Sequence, residues 1–353
     1  MGQYRAPVVW SPDTRLHDPQ AEVWVGVSTP ATEVAARVDA IVEALTAAGH
    51  RLVEPPASSG SVLESVHDPE LLEFLRTAHE RWQEGPYGEL GQDRVVPYLF
   101  PTPAMTAGLP TTRPTSVHAE AGRFAYDTMS LVGPGTWAAA RAAADCAAYA
   151  ASLVSAGELT TYALCRPPGH HATRLGYGGS CYLNNAAVAA EALRRGGAER
   201  VGVVDLDAHH GNGTASIFYS RGDVLYGSVH VDPGAGWFPH VVGYADETGT
   251  GDGAGATRNL LLAPGTGDDQ WLSAIAELVE WVNRCDALVV SLGVDAARDD
   301  PESPLLVSEA GYRRAGTALG GLGLPAVVVQ EGGYHLPTLG TLVAAYLAGH
   351  ADG

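Results

Sequence analysis

Two aspartates and two histidines follow an apolar run in the middle of the chain. Residues 201–204 have the hydrophobic character of a buried parallel strand, and Asp205, Asp207, His209 and His210 come directly after them. Residues two apart in an extended segment share a face, so Asp207 and His209 can point the same way. A carboxylate and an imidazole at a strand end form part of a zinc-type site. The alternative is a turn with solvated side chains. It is disfavoured because the four polar residues directly follow a core strand, where burying them without partners would be costly.

Three further groups of polar residues follow three other apolar segments. They are His170 and His171 after a predicted strand at 160–165, Asp295 after a strand at 287–292, and residues 331–334 after a strand at 325–330. Strands alternate with helices, which is typical of an α/β protein with a doubly wound, mostly parallel sheet. Because the carboxyl ends of parallel strands lie at one edge of a sheet, we expect the four groups to meet.

The metal site needs a third ligand. A catalytic zinc takes three protein ligands and keeps one position open for water. Asp295 is the best candidate beside Asp207 and His209, because it ends a strand after a glycine. Taken alone, Asp295 would fit equally well as the cap of a helix or turn.

The remaining polar residues suit hydrolysis of an amide. His170 and His171 are adjacent and can serve as general base and as acid partner. Their outer nitrogens need acceptors, and Asp205 and Asn212 are candidates. Tyr334 follows two glycines and can donate a hydrogen bond to a carbonyl oxygen. Alternatively, the two histidines and the tyrosine could be core residues with a structural role, the histidines being hydrogen-bonded.

We predict a single domain over residues 1–353. The chain shows no repeats and no clear linker. Residues 84–126 are rich in Pro, Gly and Thr, and we interpret them as an inserted loop or arm without regular structure. Residues 233–257 are predicted to form a long glycine-rich loop.

Composition narrows the classes of partner. The formal net charge is −19, from 21 basic residues that are all arginine and 40 acidic residues. This balance argues against nucleic-acid binding and favours encounter with a cationic small molecule. The four cysteines form no CxxC pair and suit a reducing compartment. No apolar run approaches the ~18 residues of a membrane span, so we predict a cytoplasmic protein without a membrane segment.

Four motifs resemble those of the histone deacetylase superfamily: Arg-Pro-Pro-Gly-His-His at 166–171, Asp-Leu-Asp-Ala-His-His-Gly-Asn-Gly at 205–213, Ser-Leu-Gly-Val-Asp at 291–295 and Glu-Gly-Gly-Tyr at 331–334. The bacterial acetylpolyamine amidohydrolase branch is the most similar. The resemblance implies a zinc-dependent amidohydrolase that removes an acetyl group from an acetylated amine, foremost an acetylpolyamine or a similar cation.

The resemblance also implies roles for the polar residues. It makes His171 the general base and gives a catalytic group of His170, His171 and Tyr334. It implies one Zn²⁺, with Fe²⁺ or Co²⁺ as substitutes, held by Asp207, His209 and Asp295. It further implies a structural K⁺ near Asp205 and Ser228, with Asp205 supporting His170 and Asn212 facing His171.

The resemblance places four residues in the substrate pocket: Gly179, Ser180, Phe238 and Glu302. Phe238 is expected to line the tunnel. Ser180 stands where the family usually carries a second aromatic residue, which indicates a wider pocket. Glu302 is expected at the rim, where its carboxylate would attract an ammonium group of the substrate; a solvated loop carboxylate without a role is the alternative.

Assembly and substrate leave alternatives open. Related amidohydrolases pair through an insertion at this place, so we expect a homodimer with residues 84–126 as its arm. A bulkier acetylated biosynthetic intermediate or acetyl-lysine is an alternative substrate. A two-manganese ureohydrolase of the arginase type is disfavoured, because Gly211 stands where that site needs an acid. A catalytically dead binding module is disfavoured because no catalytic position is missing.

Overall fold

The computed structural model describes residues 5–56 and 60–353. Within these ranges the strands are β1 (Val8–Val9), β2 (Ala21–Trp24), β3 (Val27–Pro30), β4 (Leu52–Val53), β5 (Thr160–Ala163), β6 (Val201–Asp205), β7 (Val224–Val231), β8 (Thr257–Leu262), β9 (Ala287–Leu292) and β10 (Ala326–Gln330). The helices are α1 (Ala36–Ala47), α2 (Ser61–Val66), α3 (Pro69–Gln83), α4 (Pro103–Thr106), α5 (Val117–Phe124), α6 (Thr136–Ser155), α7 (Asn185–Arg195), α8 (Asn212–Phe218), α9 (Asp268–Val282), α10 (Glu309–Gly320) and α11 (Leu336–Asp352).

Eight strands form one parallel sheet in the order β4-β1-β5-β10-β9-β6-β7-β8. The prediction of a mostly parallel α/β sheet is therefore confirmed. Strands β2 and β3 form a separate antiparallel hairpin. The carboxyl ends of β5, β10, β9 and β6, four consecutive neighbours, lie side by side and can present polar residues to a common point.

Helices cover both faces of this sheet. Successive strand residues point to opposite faces. In β9, Val289 belongs to a buried cluster that includes side chains of α3, α6 and α7, whereas Val290 belongs to a second cluster that includes side chains of α9, α10 and α11. The central strands β6, β9 and β10 are buried along their whole length. This double burial explains their continuous apolar sequences.

The hairpin β2–β3 was not predicted from the sequence. Its two turn residues, Val25 and Gly26, both have positive φ, 46° and 81°. Such two-residue turns are usually signalled by Asn-Gly or Asp-Gly. A valine in the first position hides this signal.

Strand β8 was also not expected, although it directly follows the loop predicted at 233–257. It pairs in parallel with β7 at the edge of the sheet. Half of its side chains are only partly buried, so it lacks the continuous apolar run that identifies the central strands.

The expectation that residues 84–126 lack regular structure is wrong, because α4 and α5 lie there. Phe124 of α5 stacks on Phe74 of α3, with ring centroids 4.8 Å apart. The many prolines and threonines before α5 conceal this short amphipathic helix. That the segment is an insertion stays a prediction.

None of the helices in residues 5–56 and 60–353 combines the length and the apolar character that a bilayer crossing requires.

Candidate metal and catalytic site

Asp207, His209 and Asp295 converge at the ends of β6 and β9. One donor atom from each side chain lies within 4.8 Å of the others. The Nδ1 atom of His209 lies 3.0 Å from Oδ2 of Asp295 and 3.4 Å from Oδ1 of Asp207. The backbone fixes both carboxylates, because the N–H of Gly332 donates to Asp207 and the N–H of Ala208 donates to Asp295, each at 2.9 Å.

The electrostatics of this group call for a cation. Asp207 and Asp295 are each 1% exposed. Burial and the adjacent Asp207 raise the pKa of Asp295 to about 7. Burial opposes protonation of His209, yet the two aspartates raise the pKa of its imidazole to about 10. Two buried carboxylates and one imidazole nitrogen are a donor set that suits a divalent metal such as zinc.

His170 and His171 lie beside this group with their ring centroids 4.0 Å apart. Nδ1 of His170 is 3.1 Å from Oδ2 of Asp205, and Nδ1 of His171 is 2.7 Å from Oδ1 of Asn212. An amide oxygen can only accept, so Nδ1 of His171 carries the proton and Nε2 has a free lone pair. Both acceptors are those expected from the sequence.

The two histidines have opposite electrostatics. Burial and the neighbouring His170 hold the pKa of His171 well below its usual value. For His170, burial favours the neutral form, but Asp207 and Asp205 raise the pKa well above its usual value. His171 is thus the neutral member, which can accept a proton.

Glu331 supports the histidine pair, a role the sequence did not reveal. Its Oε2 atom accepts hydrogen bonds from the N–H of Gly169 at 2.6 Å and of His170 at 3.1 Å. Burial raises the pKa of Glu331 to about 7. Because the hydrogen-bond donors are main-chain N–H groups, the side-chain types in the sequence did not indicate this contact.

Asp205 and Ser228 lie opposite each other on the adjacent strands β6 and β7. Oδ2 of Asp205 also accepts a hydrogen bond from the Tyr226 hydroxyl at 3.1 Å, and Ser228 Oγ lies 2.8 Å from Nδ1 of His230.

The space around Gly211 bears on the two-metal alternative. A Cβ atom at this position would lie 2.3 Å from Oδ2 of Asp205 and 2.7 Å from the Tyr226 hydroxyl. An aspartate could not be accommodated there without moving these groups. The surrounding side chains therefore crowd the position at which an arginase-type site carries its additional acid.

A cavity of about 300 Å³ opens onto these residues. Its walls include all four predicted pocket residues, Gly179, Ser180, Phe238 and Glu302, together with His171, His209 and Tyr334. The ring of Phe238 meets that of His171 edge-on, with centroids 4.8 Å apart. Gly179 is required here, since its φ is +55° and a Cβ would lie 2.5 Å from the His171 ring.

The cavity is also lined by Glu22, Trp24 and Trp237, which sequence reasoning missed. Trp24 is 58% exposed, and we call the part of the wall formed by Glu22, Trp24, Thr32 and Glu302 the mouth. Thr32 connects two acids at this mouth: its N–H donates to Glu22 and its hydroxyl donates to Glu302, each at 3.3 Å. Burial, reinforced by Glu302, raises the pKa of Glu22 to about 7. The mouth thus combines two carboxylates with the indole ring of Trp24.

Fold and site together define a metal-dependent amide hydrolase. A family model of the histone deacetylase domain matches residues 31–350, and the chain belongs to the histone deacetylase family. The family resemblance found in the motifs is thereby confirmed. The chain is a hydrolase of this family, which uses a divalent metal.

Individual relatives match over almost the full length. The chain is 38% identical over 347 residues to an acetylpolyamine amidohydrolase of Mycoplana ramosa, covering 98% of this chain and 99% of the relative. It is 40% identical to one from Burkholderia pseudomallei, covering 96% of each. A crystal structure of acetylpolyamine aminohydrolase from Burkholderia pseudomallei superposes with a TM-score of 0.91 at 39% identity, covering 98% of both chains.

Proposed function

We propose that this hydrolase deacetylates an acetylated amine of the acetylpolyamine type, with Zn²⁺ as its metal. The observation that carries the proposal is one pocket that is lined by His171, Tyr334 and His209, a member of the metal-type donor set, and that has carboxylates at its mouth. Relatives named acetylpolyamine amidohydrolases that match nearly the whole chain support the substrate class.

Asp207, His209 and Asp295 would hold the metal, and Asp205 with Ser228 would lie beside a structural K⁺. A divalent metal supplies Lewis-acid polarisation of the amide carbonyl when bound there. The four cysteines are free and buried, in keeping with a reducing cytoplasm.

The remaining chemistry belongs to side chains of this chain. His171 uses the free lone pair of Nε2 to take a proton from the attacking water, while Asn212 holds its ring in place. The histidine pair returns a proton to the leaving amine. The Tyr334 phenol donates a hydrogen bond to the carbonyl oxygen as negative charge develops there.

The proposal is tested with a panel of acetylated polyamines, acetyl-lysine peptides and acetylated aminosugars. We expect the highest kcat/KM for a slim, cationic acetylated amine. A preference for acetyl-lysine or for a bulkier acetylated amine would support the reaction but contradict the proposed substrate. In that case Ser180, which stands in the pocket wall where the family usually carries an aromatic residue, would be the feature that accounts for the preference.

Glu302 is expected to read substrate charge at the pocket mouth. Replacing it with leucine should lower kcat/KM several-fold for a cationic acetylpolyamine and leave a neutral acetamide of similar length unaffected. A partly solvated ion pair contributes about 1 kcal/mol, roughly fivefold, and added salt should reduce the difference. Glu309→Leu, an exposed position on α10, is the matched control. Equal losses on both substrates would show that Glu302 does not read charge.

We also propose a homodimer. Several large apolar side chains of residues 84–126 are exposed, among them Tyr98 (71%) and Leu109 (70%), and so is Trp24 (58%) at the pocket mouth. Apolar surface of this kind marks interaction sites. Light scattering at assay concentration should give twice the chain mass of 36.7 kDa, and Leu109→Asp should weaken the dimer. A monomeric wild-type protein would contradict this assignment.

A further inference from the structure

Asp300 is a buried carboxylate that connects two loops of the pocket. It is 8% exposed and follows Asp295 by five positions in the loop after β9. Its Oδ2 atom accepts hydrogen bonds from the N–H of Tyr334 at 2.5 Å and of His335 at 3.0 Å. Its Oδ1 atom accepts from the N–H of Glu302 at 3.0 Å. The carboxylate of Asp300 thus accepts hydrogen bonds from three main-chain N–H groups on two loops.

The opposite side of the Tyr334 loop is held by Arg37 of α1. Its guanidinium donates to the carbonyl oxygens of Gly333 and Glu331, each at 2.6 Å. The same guanidinium lies 4.7 Å from the centroid of the Tyr334 ring. The loop is therefore fixed at its carbonyl groups by Arg37 and at its N–H groups by Asp300.

This clamp matters because the two glycines of the loop would by themselves permit other backbone conformations. Gly332 and Gly333 precede the tyrosine, and Gly333 has a φ of +121°, a conformation that side-chain-bearing residues rarely adopt. Hydrogen bonds from outside the loop therefore decide where the Tyr334 phenol lies. A displacement of about 1 Å in a positioning contact can cost roughly 10²-fold in rate.

We propose that Asp300 is a positioning residue that sets the place of the Tyr334 phenol and of the Glu302 carboxylate together. The inference rests on the proposed deacetylase function in one respect: the phenol must act on the substrate carbonyl. The side-chain hydrogen bonds of Asp300 go to main-chain N–H groups of the two loops. Its effect on the reaction therefore passes through Tyr334, and its effect on substrate charge passes through Glu302.

A double-mutant cycle in the metal-loaded enzyme separates this role from a general structural one. On a neutral acetamide, Asp300→Ala should lower kcat roughly 10–100-fold in the wild-type background. In the Tyr334→Phe background the same substitution should change kcat less than about twofold, because the contact it supports is already lost. If the double variant instead lost kcat by the product of the two single losses, the proposal would be wrong.

Asp300→Asn and Asp299→Ala complete the set. The amide keeps one acceptor oxygen, so Asn can serve only one of the two loops and should lose less activity than Ala. It also keeps the shape of the side chain and serves if the alanine variant fails to fold. Asp299 is the exposed neighbour, and its replacement should leave kcat and the metal content unchanged.

Amide hydrogen exchange tests the clamp without reference to activity. In Asp300→Asn, amide exchange should accelerate at least about tenfold in the loop that the remaining acceptor oxygen no longer serves, either at Tyr334 and His335 or at Glu302. Exchange in β6 should not change. Unchanged protection at all three amides would overturn the proposal. If no acetylated amine is hydrolysed by the wild-type protein, the proposed function fails, whereas the exchange result still decides whether Asp300 holds the loops.

Discussion

Replacing Tyr334 with phenylalanine is expected to lower kcat about 10²–10³-fold, the usual cost of one lost oxyanion donor. Burial raises the pKa of the Tyr334 phenol well above its usual value, so the hydroxyl is a donor throughout the neutral range. Phenylalanine retains the ring and its contact with Arg37. The metal-type donor set is untouched, so metal content should not change.

The measurement is kcat on a substrate whose chemical step is rate-limiting, together with metal analysis of the same sample. Tyr346→Phe is the matched control: Tyr346 is a fully buried tyrosine on α11 whose hydroxyl has no hydrogen-bond partner in the described structure. It should leave kcat unchanged. An unaltered kcat in Tyr334→Phe would remove the phenol from the mechanism.

Removal of the metal is expected to abolish activity, and one equivalent of Zn²⁺, Co²⁺ or Fe²⁺ should restore it. Asp207→Ala should bind no metal at this site and should not recover. The physical reason is the geometry of the donor set: donor atoms of the buried Asp207 and Asp295 and of His209 all lie within 4.8 Å of one another, an arrangement that suits a divalent metal. Metal titration followed by activity and by metal analysis gives the stoichiometry.

Asp145→Ala provides the control for that experiment, because Asp145 pairs with Arg141 along α6, away from the site. It should bind one metal and remain active. Full activity of a metal-free preparation, or a requirement for two equivalents, would contradict the single-metal assignment. The second outcome would also conflict with the crowded space at Gly211.

The central sheet and the floor of the site are the parts that the sequence predicts best. Strands buried on both faces have continuous apolar sequences, and a polar residue directly after such a strand has a defined location at the sheet edge. This logic brings His209 together with Asp295, which is 86 positions away and 3.0 Å distant in the structure.

The mouth of the pocket could not be predicted in the same way. Glu22 and Trp24 reach it because the hairpin β2–β3 forms, and the turn residue Val25 gives no hairpin signal. Glu331 and Asp300 act on main-chain N–H groups, which are present at nearly every residue and leave no pattern of side-chain types. Contacts of this kind become visible only in three dimensions.

The most direct test of the proposed deacetylase function is the detection of acetate by NMR during incubation of the zinc-loaded protein with an acetylated diamine. We expect acetate and free amine in equal amounts from the wild-type protein and neither product from Asp207→Ala. Absence of acetate from every acetylated amine of the panel, with the protein folded and one Zn²⁺ bound per chain, would contradict it.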